Sequence, residues 1–162
     1  MCLSLAIHRP DNVLAQGRHM GYQWMIIHNG KCQRCGYVRV PPGHQWHGCD
    51  IHDMELQDVH VHGGVTFAER DEPCDKGGAD DAWWLGFDTT HAQDLPDYEL
   101  PGSHHATRAV MGQFYRRFSE LMPGSQIRTT EYVQAECLSL CEQAAQACTD
   151  SETSIAAEPG SM

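Results

Sequence analysis

The two kinds of hydrophobic pattern in this chain are segregated, and that order restricts its folds more than any single motif does. Residues 22–27 (YQWMII) and 36–40 (GYVRV) have the length and the aromatic and β-branched content of strands; HNG follows the first as a turn signal, and Pro41 and Pro42 stop the second. In the last third the period changes. Val110, Met111, Phe114, Phe118 and Leu121 mark one face of a helix within residues 104–122, halted by Pro123 and Gly124. Val133, Cys137, Leu140, Cys141, Ala144 and Cys148 form the stripe of a second helix over residues 129–148. Strands before helices predict an α+β fold: a small antiparallel or mixed β-sheet with two C-terminal helices packed on one face. A hydrophobic content of 41% in 162 residues is enough for one core, so residues 1–148 are expected to form a single globular domain. Residues 149–162 carry no apolar pattern and are expected to be a disordered tail.

Between these regions lie two segments rich in chemistry, HVHGGVTF (60–67) and WWLGFDTTHAQD (83–94), joined by a connector rich in Gly, Asp and Glu. Antiparallel pairing with Phe67 opposite Trp83 sets His62 opposite Asp88. Alternation then collects Val61, Val65, Phe67, Trp83, Leu85 and Phe87 on one apolar face. His60, His62, Gly64, Thr66, Trp84, Gly86 and Asp88 share the other, which has the make-up of a pocket floor. His91 and Asp94 follow at a spacing suited to a turn.

Imidazole nitrogen and carboxylate oxygen suit a borderline divalent ion such as zinc, manganese or iron. The expected ligands are His62, Asp88 and His91, with an open position for a water whose pKa the ion lowers. Asp94, Glu136 or His60 would act as acid or base, with Glu55 as a substitute for His60. Gly63 and Gly64 would leave room for a ligand, Trp84 would stack on an aromatic ring, and Tyr132 would cover the pocket from the last helix. The plainer alternative is a set of solvated histidines and carboxylates, with Trp84 as ordinary packing and Tyr132 and Glu136 on a wet helix edge.

Eight cysteines raise a second possibility. Cys32, Cys35, Cys49 and His52 read as C-x2-C-x13-C-x2-H, a spacing that can close a structural zinc site. Cys137, Cys141 and Cys148 lie on the helix stripe and are expected to be buried fillers.

A formal charge of −11 argues against direct nucleic-acid binding, which needs a basic footprint, and suits a metal ion or a basic partner. No run of about 18 apolar residues is present, so no membrane association is expected. Residues 1–7 lack the pattern of a signal peptide, and the expected compartment is the cytoplasm.

GYVRVPPGH (36–44), DVHVHGGVTF (58–67), WWLGFDTTHAQD (83–94) and EYVQAEC (131–137) resemble the motifs of a family of small, uncharacterised proteins from bacteriophages and bacteria. The resemblance spans most of residues 36–148. It implies that His62, Gly63, Gly64, Asp88, His91 and Asp94 belong to one constellation, and that the chain is phage or prophage encoded and works in the host cytoplasm. Cys32, Cys49 and His52 fall outside the pattern, and no activity comes with it. The leading expectation is a metal-dependent hydrolase of a small phosphorylated or amide-containing metabolite. The alternatives are a non-enzymatic acidic accessory protein that binds and inhibits a basic host defence protein, and a protein that binds a small nucleotide without turnover.

Overall fold

The computed structural model describes residues 12–30, 32–71, 81–101 and 122–155, with side chains to residue 148. Its elements in chain order are β1 (Val13–His19), β2 (Tyr22–His28), β3 (Arg34–Val40), α1 (Met54–Gln57), β4 (Phe67–Arg70), β5 (Trp83–Asp88), β6 (Asp94–Leu95), β7 (Gln126–Ile127) and α2 (Thr130–Ile155). Five strands form a sheet in the order β1-β2-β3-β5-β4, with every neighbouring pair antiparallel. The fold is α+β. The helix expected within residues 104–122 lies outside the described residues. Among the described residues no helix is long and apolar enough to cross a membrane.

The β1–β2 hairpin closes at His19 and Tyr22, with Met20 at φ 50° and Gly21 at φ 88° between them. Two positive φ values in a two-residue loop match the strand twist, and glycine meets that demand without a Cβ clash. α2 lies across β1, β2 and β3. Its Val133, Cys137, Leu140, Cys141 and Ala144 are fully buried against a sheet face made by Trp24, Ile26, Val38, Val40, Leu85 and Phe87. The expected stripe is therefore the core stripe, with Ala147 rather than the half-buried Cys148 as its last buried member. α2 continues to Ile155, past the boundary at residue 148 expected for the folded part.

Helix and sheet approach closely at Gly36. A Cβ there would sit 2.5 Å from the Phe87 ring and 2.7 Å from Cys137 Sγ, so the glycine in GYVRV is the seat of the helix. On the opposite face Met25, Ile27, Cys35, Tyr37 and Trp84 form a second buried cluster, joined by Val13 and Phe67.

The expected β4–β5 pairing is corrected. Phe67 pairs with Gly86 and Arg70 with Trp83, a displacement of three residues from Phe67 opposite Trp83. An odd displacement changes the face of a strand. Phe67 accordingly packs edge-on against Tyr37 on the far face, with ring centroids 5.4 Å apart, while Val61, Val65 and Trp83 join Leu85 and Phe87 on the helix side. Residues 60–66 are not a strand; they turn toward α2 before β4 begins.

The proposed cysteine zinc site is also corrected. Cys35 belongs to the far-face cluster and Cys49 to the helix-side core, so the sheet separates them. Burial pushes the Cys35 thiol up to about 11, and the Cys49 thiol donates to the Gln45 carbonyl. The Cys32 carbonyl accepts the Asp97 N–H, and His52 is exposed. Cys32, Cys35, Cys49 and His52 do not converge.

One buried group ties the far end of α2 to the loop after β3. His44 Nε2 donates to the Ala144 carbonyl at 2.9 Å, and Nδ1 accepts the Trp46 N–H at 3.0 Å. Both ring nitrogens are thus committed to the neutral form, and burial lowers the pKa below its ordinary value. The unfolded chain takes up this proton near pH 6.5 while the folded chain refuses it, so folding stability falls as the pH drops below that value. This one site contributes up to about 1.4 kcal/mol per pH unit. Urea unfolding at pH 7.5 and 5.5 is expected to show a steeper loss in the wild type than in His44→Gln.

Candidate metal centre

The first contribution comes from the turn between α1 and β4. The Gly64 N–H bonds the Val61 carbonyl at 2.9 Å, placing His62 and Gly63 at the corner, with Gly63 at φ 70°. A turn with positive φ at its third residue selects glycine there. The corner is held against α2 because the His62 N–H donates to Glu136 Oε2 at 2.7 Å.

The second contribution follows β5. Thr89 pairs with Arg34, after which the chain turns: the Asp94 N–H bonds the His91 carbonyl at 2.9 Å. Asp94 then enters a two-residue parallel ladder, Asp94 with Gln126 and Leu95 with Ile127. This ladder brings Asp94 beside Arg128, which follows β7 directly. Arg34, buried under the same loop, donates to Asp97 (2.7 Å), Thr130 Oγ1 (3.0 Å) and the Arg128 carbonyl (2.9 Å). One guanidinium therefore fastens both chain segments of the site to β3.

These elements focus on Asp94. Its Oδ1 accepts from Arg128 Nε at 2.7 Å, and its Oδ2 lies 2.7 Å from His62 Nε2, 3.1 Å from the His91 N–H and 3.1 Å from His91 Nδ1. The Asp94 side chain is 1% exposed. Burial alone would raise its pKa, but the hydrogen bonds from Arg128 and His62 outweigh that and hold the carboxyl at about 2. Asp94 is a carboxylate at any working pH. His62 Nδ1 meets the Tyr132 hydroxyl at 3.0 Å, and burial, assisted by the Glu136 charge, pushes the Tyr132 pKa up. Tyr132 stays a phenol, which can donate to Nδ1 or accept from it, so the tautomer of His62 is free to follow whatever occupies Nε2.

One ligand atom from each of His62, His91 and Asp94 lies within 4.8 Å of the others. Among the described residues they are the one His/Cys/Asp/Glu group close enough to share an ion. A tetrahedral ion with bonds of 2.0–2.1 Å keeps its ligand atoms about 3.3 Å apart. To reach that geometry the 2.7 Å contact of His62 with Asp94 must open by about 0.6 Å, and a pair at the 4.8 Å limit must close by about 1.5 Å. The His91 side chain is 39% exposed, so the site faces solvent on one side and is closed by protein on the other.

The remaining residues singled out from the sequence are placed as follows. Asp88 does not join the group: it sits on the Trp84 and Gly86 side of β5, and its carboxylate takes the Thr90 N–H at 2.8 Å and the hydroxyls of Thr66 and Thr90. It caps the turn after β5, and Asp94 takes the place expected for it beside His62. Trp84 is 1% exposed in the far-face cluster and cannot stack on a ligand at the histidines. The His60 backbone is clamped by the Gln143 amide at 2.8 and 2.7 Å. His60 and Glu55 line an open cleft of about 910 Å³ whose lining includes none of His62, His91 and Asp94. Tyr132 and Glu136 do stand over the turn. Gly63 backs directly on His91, whereas Gly64 has open space beside it. Arg34 and Arg128 were not legible as site residues, since neither belongs to a spacing motif.

Compared with known proteins, the chain matches no family model, no curated protein and no solved structure. The geometry alone carries the functional argument.

Proposed function

We propose that this protein is a hydrolase dependent on a divalent metal, acting on a small phosphorylated or amide-containing metabolite, with His62, His91 and Asp94 as the metal ligands. The observation that supports this most is the convergence of two imidazoles and one ionised carboxylate on a half-open site. An ion held by two histidines and a carboxylate would keep coordination positions for water and substrate, and would lower the pKa of its bound water toward neutrality and so supply a hydroxide nucleophile.

The protein's own groups have separate tasks in this reading. Arg128 and the His91 N–H hold the Asp94 carboxylate in place. Tyr132 orients His62 through the ring nitrogen that does not bind the ion, as hydrogen-bonded partners of metal-bound imidazoles do. Glu136, which accepts the His62 N–H and is not among the ligands, is the base in this scheme.

A panel of phosphate monoesters, phosphodiesters and amides, assayed with zinc and with manganese, tests the proposal. Turnover is expected to need the metal and to fall at least about 100-fold in His91→Ala, a change at an exposed side chain that leaves the core intact. Absence of turnover with either metal, or full activity in both His62→Ala and His91→Ala, contradicts it.

A further inference from the structure

Arg128 does more than its bond to Asp94 requires. The guanidinium carbon lies 4.9 Å from the Tyr132 ring centroid, and Nε is spent on Asp94 Oδ1 at 2.7 Å. Those two contacts fix the plane and leave the pair of Nη groups without a hydrogen-bond acceptor among the described residues. The side chain is only 14% exposed, so the fork is held at the wall of the site, where it keeps limited contact with solvent. A planar fork of N–H donors, held rigid and short of acceptors, matches two oxygens of a phosphate or carboxylate.

The charges around it set a condition. Asp94 and Glu136 contribute two negative charges and Arg128 one positive, so without a cation the site repels anions. A divalent ion on Asp94, His62 and His91 reverses that balance on the far side of the same carboxylate that Arg128 grips.

We propose that Arg128 is the oxyanion-binding residue of this site, and that the substrate is phosphorylated, one phosphoryl oxygen reaching the metal while others meet the Arg128 fork. The inference rests on the metal reading above and narrows it, because an amide substrate gives the fork no anion to hold. Binding is ordered: the metal enters first and the phosphoryl group follows.

Calorimetric titration of the full chain with zinc, and of the zinc-loaded chain with methylphosphonate, tests this, with acetate as the carboxylate competitor. Wild-type protein is expected to bind methylphosphonate only when zinc is present. Arg128→Gln also loses the charged bond to Asp94, so it is expected to bind zinc more weakly and, once saturated with zinc, to bind methylphosphonate at least tenfold more weakly than zinc-saturated wild type. Arg128→Lys retains a cation and a donor for Asp94, guards against misfolding, and is expected to bind with intermediate strength because it lacks the fork. Equal methylphosphonate affinity in wild type and both variants overturns the inference, as does a zinc-loaded protein that binds no methylphosphonate or prefers acetate. Failure to bind zinc at all overturns the metal reading itself, and the inference with it.

Discussion

Asp94→Ala is expected to remove metal binding and to destabilise the fold by about 3 kcal/mol. The stability term comes from what is left behind. Asp94 is the acceptor for Arg128 Nε, for His62 Nε2 and for the His91 N–H, and its own side chain is almost wholly buried. Truncation strands a largely buried guanidinium and two further donors, and an uncompensated buried charge costs more than the pair contributes. Asp94→Asn keeps the shape but replaces an anion by a neutral amide, so a smaller loss of stability and an equally complete loss of metal affinity are expected. Urea unfolding followed by zinc titration separates the two. If Asp94→Ala unfolds at wild-type denaturant concentration, the carboxylate is not the hub described above.

The adjacent glycines offer a sharper contrast. Gly63→Ala is expected to cost about 1–2 kcal/mol in stability and to weaken metal binding about 100-fold, whereas Gly64→Ala is expected to cost similar stability and leave metal binding unchanged. Both residues have positive φ, 70° and 85°, so both substitutions carry the same kind of backbone strain. They differ in surroundings. A Cβ on Gly63 would lie 2.0 Å from His91 Cε1 and 2.1 Å from Nε2, so the imidazole must swing away; a Cβ on Gly64 meets nothing within 4 Å. The His91 ring has solvent to move into, so its displacement costs little stability and much geometry. Equal zinc affinity in the two variants contradicts the placement of His91.

How far the sequence reveals this structure depends on how local the signal is. β2 and β3 announce themselves as continuous apolar runs because both faces of the central sheet are covered, and α2 does so because its buried stripe repeats at the helical period. β1 is an edge strand, half exposed, with a sequence (VLAQGRH) that carries no alternation to read. The register of β4 is not local at all: its apolar residues fit two pairings, and the turn at His62 and Gly63, which withdraws residues 60–66 from the sheet, decides between them.

The same logic explains the site. The motif HGG together with HAQD marks the right neighbourhood, because two glycines beside a histidine and a His-x-x-Asp turn are short-range features. Which carboxylate meets His62 is a long-range matter. Asp88 and Asp94 are equally plausible in sequence, and only the face on which β5 ends, with the β6–β7 ladder that follows, directs Asp94 inward and Asp88 out to Thr66 and Thr90. Arg128 reaches the site through that same ladder, and Arg34 through a strand most of whose other residues are buried.

The account turns on one divalent ion shared by His62, His91 and Asp94. Zinc X-ray absorption on the protein loaded with one equivalent measures the coordination directly. Two imidazoles and a carboxylate oxygen at about 2.0–2.2 Å, reduced to a single imidazole in His91→Ala, is the expected result. A spectrum dominated by sulfur, or one that does not change when His91 is removed, contradicts it.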